Sequence, residues 1–370
     1  MIYYAAYYST KNSKRVKNYA GEDKIDYICE AINNIGEDVI LISNAKTTQR
    51  KFARSESIQL SEHTRLFYFS SLPRINMLIH VLDVLWGYMQ LCIYVFLHVK
   101  KSDTVLVYHS LGYRGLWGFL RRIKKFNYVL EVEELFQAFQ ASTSSYKKKE
   151  RRVFKYPDAY LFSNSLLAEE INILNKPSVI INGIYRKNVV ENKTKGEKIK
   201  VVYAGSLEKQ KGVDYVIASA RYLHEKYEVH IIGFGTDKDI DRVNTLIEET
   251  KGIGSQVTYD GIYKGKEYLR YLQSCDIGIC IQDESDEFNK YEYPSKIFSY
   301  LSNGLQVVAN DLIQLRKSDI FPYLHIASSQ KPKEVALAVE SCSDSILDSY
   351  EILKILDEKF KEQIKSIIRR

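Results

Sequence analysis

The sequence predicts an α/β protein built from two doubly wound domains, each a parallel sheet covered by helices on both faces. Short apolar, β-rich runs alternate with longer helical stretches along the whole chain, as in parallel sheets buried on both faces. The length of 370 residues is that of two ordinary domains rather than one. Between the halves, residues 182–200 lose apolar periodicity and fill with Lys, Asn and Gly, which predicts an interdomain linker.

In the first half, the pattern predicts seven strands and three helices in alternation. The strands are expected at 2–8, 38–42, 66–69, 104–109, 128–132, 159–162 and 178–181. The helices are expected at 23–35, 75–99 and 114–123.

The second half repeats this alternation more regularly. Strands are expected at 199–204, 228–232, 256–259, 276–281 and 305–309. Helices are expected at 213–225, 239–250, 266–273, 294–302 and 345–370. The domains are therefore expected at 1–185 and 186–345, facing each other across a cleft, with the helix at 346–370 a candidate to pack back on the first. Ligands of such sheets bind at the carboxyl ends of the strands.

Composition excludes several classes of protein. With 45% hydrophobic and 27% charged residues, the chain is neither globally disordered nor fibrous. The five cysteines form no CxxC pair, which excludes a zinc ribbon or a disulfide scaffold and fits a reducing compartment. The first residues lack the pattern of a secretory signal, so we expect a cytoplasmic location.

The net charge of +7 is unevenly distributed between the halves. Residues 1–195 carry 29 Lys and Arg against 18 Asp and Glu, whereas residues 196–370 carry 24 against 28. Basic runs lie at 11–17, 121–125 and 147–155. Any one run reads as a solvated helix face, but three in one half favour contact with an anionic surface. Because no nucleic-acid-binding motif accompanies them, we expect the inner face of a membrane and no nucleic-acid partner.

The segment at 75–99 is long enough to span a membrane. It carries five polar residues: Asn76, His80, Asp83, Gln90 and His98. Each would cost free energy in hydrocarbon unless it were paired, so a buried or interfacial helix is expected instead of a span. To serve as an anchor, this helix would need one exposed apolar face.

The sharpest motif is VVYAGSLEKQKGVDYVIASA at 201–220. A buried strand runs into Gly205, and a helix begins near Gly212. The glycines would let the backbone approach a ligand, and the amino end of the helix would favour an anion such as phosphate. Lys211 stands at the helix start, where its ammonium could meet a diphosphate. Taken alone, such a turn also occurs in α/β proteins purely for packing.

Three later strand ends are expected to lie beside this one, along the same edge of the sheet. EVHIIGFG at 228–235 ends in Gly233 and Gly235, and VTYDG at 257–261 ends in Gly261. The strand DIGICIQ at 276–282 leads into YEYPSKIFSYLSNGLQVVAN at 291–310.

The helix in that last segment has Pro at its first position and Gly304 after its end, both favourable placements. Its amino end is expected to present the backbone N–H groups of Ser295 and Lys296, with the Lys296 charge beside them.

This ordered set of blocks resembles the carboxyl-terminal domain of the family 4 retaining glycosyltransferases, which have the GT-B fold. The matching blocks, over about residues 200–310, are AGSLEKQKGVDYVIASA, IIGFG, VTYDG, CDIGICIQ and YPSKIFSYLSNGLQVVA. The first half agrees with the family only in layout. The subgroup with a Pro-Ser-Lys helix usually works on bacterial surface polysaccharides, so the resemblance implies that role here.

The resemblance implies retaining transfer of a sugar from a nucleotide-sugar donor to a saccharide or lipid-linked acceptor, with no metal and no further cofactor. Positioning and charge stabilisation of the leaving diphosphate by Lys211 and Lys296 would be the main source of catalysis. The expected donor-binding residues are Gly205, Ser206, Lys211, Gly233, Gly235, Gly261, Glu292, Ser295, Lys296 and Ser299.

The chain departs from the family pattern at three places. Ser206 stands where members often carry Arg, and the family's paired glutamates align with Tyr291 and Ser299, with Glu292 one residue from the first. The amino-terminal glycine-rich loop is absent and is replaced by residues 9–21. These departures leave open a second hypothesis, a non-catalytic partner subunit with the same fold. A nucleotide-sugar 2-epimerase is a third, but its typical His and acidic clusters are not visible.

Two residues of the first half are candidates for catalysis. Glu133 lies in YVLEVEELF at 128–136, where many relatives have His-Asp, and its carboxylate could orient or deprotonate the acceptor hydroxyl. Alternatively, the acidic residues at 131–134 only supply favourable charge at a helix amino end. His109, at the end of a predicted strand, is the second candidate, with a structural role as its alternative.

Two acidic segments resemble metal sites. Asp237-Lys238-Asp239 has the DxD form, but it opens a predicted helix, where acidic residues are favoured by the helix dipole. The acidic run at 283–287 is typical of a solvated loop. We therefore predict no bound metal.

Overall fold

The structure is a computed structural model in which two compact units are defined. Met1–Ile184 and Lys359–Arg370 form the first unit, and Tyr185–Glu358 forms the second. The residues that it describes are 1–17, 19–110, 112–113, 115–135, 150–188, 196–282, 293–342 and 348–369.

Within these ranges, the first unit contains a sheet of eight strands. They are β1 Ile2–Ala6, β2 Val39–Ser43, β3 Glu56–Gln59, β4 Thr64–Tyr68, β5 Thr104–Tyr108, β6 Asn127–Val132, β7 Ala159–Phe162 and β8 Ser178–Ile180. Their order is β3-β4-β2-β1-β5-β6-β7-β8, and every pair is parallel except β3 with β4. The helices are Tyr19–Asn34, Met77–His98, Leu116–Lys124 and Ser165–Ile171.

The middle of this sheet is apolar on both faces. All five residues of β1 are buried, and so are all four of β7. Continuous apolar strands of this kind are buried because helices cover both faces of a parallel sheet. By contrast, β3 is largely exposed at the edge, and its sequence ESIQ was not predicted to be a strand because it has no apolar alternation.

In the described part of the second unit, six strands form an all-parallel sheet. They are β9 Ile199–Ser206, β10 Tyr227–Phe234, β11 Gln256–Gly261, β12 Ile277–Cys280, β13 Gln306–Asn310 and β14 His325–Ala327. Their order is β11-β10-β9-β12-β13-β14. The helices are Val213–Ser219, Asp237–Thr250, Gly265–Gln273, Lys296–Ser302, Ile313–Arg316 and Pro332–Ser341. The prediction of two parallel-sheet α/β domains is therefore confirmed.

The strand order of the second sheet reverses between β9 and β12, which is where doubly wound sheets bind ligands. Over the described residues, β12 pairs with β9 at Ile277 and Gly278. Beyond this pairing, the Tyr300 hydroxyl bridges the two strands. It accepts a hydrogen bond from the Ala204 N–H at 2.9 Å and donates one to the Ile279 carbonyl at 3.2 Å. Tyr300 thus holds helix Lys296–Ser302 against the point where the two strands separate.

The last helix, Ser349–Ile368, contributes its final residues to the first unit. Phe360 is buried and stacks on Tyr27, with their ring centroids 5.8 Å apart. The Ile368 carbonyl accepts a hydrogen bond from Thr104 Oγ1 at 2.7 Å, at the start of β5. The C-terminal segment therefore completes the core of the unit that the chain began with.

Candidate functional site

The carboxyl edge of the second sheet is formed by two glycines on neighbouring strands. Gly205 of β9 pairs with Gly233 of β10, and their φ angles are +154° and +152°. A Cβ atom on Gly233 would lie 1.7 Å from the Gly205 carbonyl oxygen, so no larger residue fits without moving the strands. Glycine at these positions thus allows the ends of β9 and β10 to pack closely.

Lys296 crosses this edge from the first position of its helix. A Cβ atom on Gly205 would lie 2.5 Å from Lys296 Cε and 2.7 Å from its Nζ. The missing side chain at Gly205 therefore makes room for the lysine. Lys296 Nζ lies 3.9 Å from the centre of the Tyr203 ring, which favours a cation there. The lysine is thus held at the switch point of the sheet.

Lys211 is connected to the same tyrosine by its backbone. The Tyr203 hydroxyl lies 2.6 Å from the Ser206 carbonyl oxygen and 3.1 Å from the Lys211 carbonyl oxygen. The 3₁₀ turn Lys209–Lys211 leads into Gly212, whose Cβ would lie 2.2 Å from the Ile281 carbonyl at the end of β12. The predicted residues Gly205, Gly233, Lys211 and Lys296 are therefore brought together around Tyr203, which the sequence did not single out.

Arg242 supports the loop after β9. Its guanidinium donates to the Leu207 carbonyl and to Asp214, and it lies 3.6 Å from Asp239. Arg242 belongs to helix Asp237–Thr250, far along the chain from the loop that it holds. No local sequence signal connects Arg242 with Leu207, so its role could not be predicted from the sequence.

Three other predicted residues, Ser206, Gly235 and Gly261, lie at or just after the strand ends. Ser206 is half-buried, and its Oγ accepts a hydrogen bond from the Glu208 N–H at 3.3 Å. Gly235 packs against Asp239, since a Cβ on this glycine would lie 2.8 Å from the aspartate Cβ. Gly261 has a φ of +84° and open space where a Cβ would be.

Of the residues predicted on and before the Pro-led helix, Ser295 is exposed and precedes the first helical residue, Lys296. Ser299 lies one turn after Lys296 and is therefore on the same side of the helix. Its Oγ is 3.3 Å from the Tyr268 hydroxyl, whose pKa is raised by burial. Glu292 lies outside the described residues.

In the first unit, Glu133 follows β6 and is paired with a lysine. Lys24 Nζ lies 2.7 Å from the Glu133 carboxylate and donates to the Ile181 carbonyl at 3.1 Å. Nearby, Glu131 is fully buried and accepts a hydrogen bond from the Tyr4 hydroxyl. Burial, together with the charge of Glu133, raises the pKa of Glu131 to about 8 despite the opposing effect of Lys24. The fully buried Glu131 and the partly buried Glu133 form an acidic cluster at the carboxyl end of the sheet.

His109, the other predicted catalytic residue, is buried beside this cluster. Its Nε2 lies 3.0 Å from Glu150 Oε1, and both side chains are almost fully covered. Its backbone N–H donates to the Glu131 carbonyl at 2.8 Å. Glu150 falls inside the basic run at 147–155, whose first three residues lie outside the described part, and the sequence did not mark it as a partner for His109.

Among the described residues, no group of three or more His, Cys, Asp and Glu side chains is placed to hold a metal ion. Asp239 of the DxD segment instead forms a capping box with Thr236 at the start of its helix. The acidic run at 283–287 lies outside the described residues.

No family model matches the chain. A curated relative from Klebsiella pneumoniae, described as an uncharacterized 41.2 kDa protein in cps region, is 25% identical over 242 residues. The match covers 59% of this chain and 63% of that protein, less than two thirds of its length.

Solved structures match over the whole chain. A structure described as trehalose-6-phosphate from E. coli bound with UDP-2-fluoro glucose has a TM-score of 0.65 at 11% identity and covers 100% of this chain and 99% of that one. Anabaena Alr3699/HepE in complex with UDP has a TM-score of 0.61 at 11% identity, covering 100% and 97%. A trehalose-6-phosphate synthase studied for enzymatic glycosyltransfer with retention also scores 0.61 at 11% identity, covering 100% and 98%. At these identities the likeness concerns the fold, and the chain has the GT-B fold that its sequence predicted.

Proposed function

We propose that this chain is a retaining glycosyltransferase that moves a sugar from a UDP-sugar donor to a saccharide or lipid-linked acceptor in surface-polysaccharide synthesis. The observation that carries the proposal is Lys296, which crosses the glycine edge at the switch point of the second sheet. The UDP and UDP-2-fluoro glucose named in the similar structures, and the retention named for a third, support this chemistry.

In this proposal the second unit binds the donor diphosphate. Gly205 leaves room for Lys296 at the strand end, and Lys296 and Lys211 neutralise the charge that develops as the sugar–oxygen bond breaks. Tyr203 contacts the Lys296 ammonium and the Lys211 carbonyl, so the side chain of the first and the backbone of the second are positioned before the donor arrives. The reaction needs no metal ion, because lysines neutralise the leaving group.

On the acceptor side, we assign Glu133 to orienting the acceptor hydroxyl. The ion pair with Lys24 holds this carboxylate in one place. His109 is a positioning residue in this proposal, since it is buried against Glu150 and reaches the acidic cluster through the Glu131 carbonyl.

The proposed location is the cytoplasmic face of a membrane, where a lipid-linked acceptor resides. The excess of 29 basic over 18 acidic residues in the first half favours an anionic surface. The Klebsiella pneumoniae relative, described as a protein in cps region, supports the role in polysaccharide synthesis.

The second candidate is a non-catalytic partner subunit. This candidate is favoured by Ser206 and Ser299, because the glycosyltransferase family that the sequence resembles has Arg and Glu at these positions. Ser299 contacts the Tyr268 hydroxyl, and a hydroxyl offers a ribose weaker hydrogen bonds than a carboxylate does.

The test is donor binding measured by calorimetry with UDP and GDP, followed by release of UDP from a panel of UDP-sugars. We expect Lys296→Ala and Lys211→Ala each to weaken UDP binding by roughly 10- to 1,000-fold, as loss of a charge contact in a desolvated site does. The matched control is Lys251→Ala, which removes an exposed lysine paired with Glu248.

Absence of UDP binding by the wild type would overturn the proposal. Equal UDP affinity of both lysine variants and the control would show that the donor is placed wrongly. UDP binding with no turnover of any sugar would favour the partner subunit.

A further inference from the structure

Helix Met77–His98 turns a continuous apolar side toward solvent. The side chains that recur every three or four residues along this side, each between 43% and 68% exposed, are Leu78, Leu82, Leu85, Met89, Ile93 and Phe96. From Leu78 to Leu97, itself 74% exposed, the stripe is about 28 Å long at the helical rise of 1.5 Å per residue. Among the described residues, this helix is the one long and apolar enough to cross a membrane, yet only 22% of its most apolar stretch is buried.

The opposite side of the helix packs on the rest of the first unit. Its buried residues are Asp83, Gly87, Leu91 and Val95. Asp83 accepts hydrogen bonds from Ser71 Oγ at 2.9 Å and from the Leu72 N–H at 2.7 Å. Gln90 Oε1 likewise accepts a hydrogen bond from Ser70 Oγ at 2.6 Å, so two of the five polar residues of this segment are bonded to the protein. A spanning orientation would break these contacts and place a carboxylate in hydrocarbon.

A rim of basic residues surrounds the apolar stripe. The helix itself contains no Lys or Arg, and its one acidic residue, Asp83, is buried. The basic rim consists of residues that flank the helix in sequence or lie on the adjoining helix Leu116–Lys124 and just after it: Arg74, Lys100, Lys101, Arg122, Lys124 and Lys125. Arg121 of the adjoining helix is paired with Asp158 and is not counted in this rim. Lys124 Nζ donates to the Phe96 carbonyl at 2.8 Å, which places this neighbouring helix against the end of the stripe.

The adjoining helix adds to the same apolar surface, because Phe119 and Ile123, one turn apart, are 58% and 47% exposed. A cavity of about 330 Å³ lies on the packed side of the helix, where Lys46, His80 and Asp83 are among its lining residues. On the solvent side, Arg74 precedes the first turn and Lys124 contacts Phe96, so basic residues lie near both ends of the apolar stripe.

We propose that the solvent-facing side of helix Met77–His98 is a membrane-docking surface that lies in the plane of an anionic bilayer, with its apolar side chains among the acyl chains and its basic rim at the phosphates. An apolar face this long exceeds what a soluble monomer ordinarily exposes. A basic rim around an apolar face is the pattern of interfacial helices and complements anionic headgroups. A second copy of this chain would instead bring two basic rims together.

This inference names the surface that would carry the membrane location proposed above. Vesicle binding needs neither donor nor acceptor, so it can fail while the transferase proposal holds, and the reverse is also true.

The experiment measures cosedimentation of the full chain with vesicles of phosphatidylcholine, with and without phosphatidylglycerol. We expect binding to the anionic vesicles that weakens with added salt. The double variant Leu85→Gln/Met89→Gln should lower the partition coefficient by more than about tenfold, because it removes apolar side chains from the bilayer. The matched control is Leu337→Gln/Ile355→Gln, which changes two side chains of similar exposure in the second unit.

The two tryptophans give a second readout. Trp86 lies on the docking helix and is 37% exposed, whereas Trp117 is 1% exposed. Lipids brominated on their acyl chains should quench Trp86 fluorescence in the Trp117→Phe variant. The membrane-bound protein should also be released by alkaline carbonate, as an in-plane helix is.

Four results would overturn the proposal. They are absence of binding to anionic vesicles, equal binding by the Leu85→Gln/Met89→Gln variant and its control, and binding without quenching of Trp86. The fourth is a stable dimer in solution that the same double variant splits, which would assign the face to a second copy.

Discussion

At the residue scale, the edge proposed to bind the donor has one aromatic side chain at its centre. Tyr203 is buried in β9, and burial raises its pKa well above the ordinary value, so its hydroxyl stays protonated. The Lys296 ammonium lies over its ring in a cation–π contact, while its hydroxyl lies within hydrogen-bond distance of the Ser206 and Lys211 carbonyls. The Lys296 ammonium and the backbone of Lys211, which are far apart in sequence, thus both contact one uncharged residue.

The buried Glu131 gives a pH-dependent prediction. Its pKa is raised to about 8, first by burial, whereas the unfolded chain releases this proton near 4.5. Its contribution to stability is therefore fully present below pH 4.5 and is lost as the pH rises toward 8. We expect Glu131→Gln to become more stable relative to the wild type by a few kcal/mol between pH 5 and 8.5, since each pKa unit corresponds to about 1.4 kcal/mol.

Urea denaturation of both proteins at the two pH values measures this difference. Glutamine keeps an oxygen that can accept the hydrogen bond from Tyr4. Titrating groups that do not interact with Glu131 contribute equally in the two proteins, so their contributions cancel. A stability difference that does not change with pH would contradict the raised pKa.

At the element scale, the short helix Lys296–Ser302 is positioned from within the sheet. Its seven residues form too few hydrogen bonds to be stable alone, so packing must hold it. Tyr300 reaches between β9 and β12, and a Cβ on Gly278 would lie 2.3 Å from its ring, so the glycine makes room for it. The position of Lys296 depends on this attachment one turn away.

Tyr300→Phe tests that attachment. The ring keeps its packing, but the buried Ala204 N–H and Ile279 carbonyl lose their partner, which should cost about 1–3 kcal/mol of unfolding free energy. We also expect weaker UDP binding, with a smaller loss than in Lys296→Ala. Denaturation and calorimetry measure the two effects. Tyr222→Phe, at an exposed tyrosine, is the control, and equal stability of the two variants would refute the attachment.

At the scale of the whole molecule, the first unit is completed by residues from the other end of the chain. Phe360, Ile364 and Ile367 are at most 1% exposed, and the Ile367 carbonyl accepts a hydrogen bond from Asn127. The Asn127–Ile367 hydrogen bond joins residues 240 positions apart, so closing this contact has an entropic cost.

Phe360→Ala should destabilise the first unit by about 3–5 kcal/mol through lost burial and a cavity beside Tyr27. Trp86 and Trp117 both belong to this unit, so tryptophan fluorescence during denaturation reports its unfolding. Ile355→Ala, at a residue 49% exposed on the same helix, should change stability by only about 0.5 kcal/mol. Similar losses in both variants would mean that the C-terminal segment does not belong to this core.

Local sequence signals predicted most of the fold. The helix expected at 75–99 is Met77–His98, because Asn76 caps it and accepts a hydrogen bond from the Ile79 N–H. The glycines at 205 and 233 were recognisable because their strand ends need backbone conformations that other residues rarely adopt. Strand Glu56–Gln59 was missed, because a polar edge strand takes its pairing from a neighbour and not from its own pattern.

By itself, the sequence determined the two parallel sheets, the glycine edge and the lysines at 211 and 296, because strand alternation, φ preference and charge are properties of short segments. The tertiary structure decided which distant groups meet: Tyr203 with both lysine elements, His109 with Glu150, and Lys24 with Glu133. It also decided which side of helix Met77–His98 stays uncovered. The periodicity of this helix distinguishes a side that carries Asp83 and Gln90 from an apolar side, but an amphipathic helix ordinarily turns its apolar side to the core. Here the hydrogen bonds from Ser70 and Ser71 place the polar side on the protein, so only the tertiary structure shows that the apolar side is uncovered.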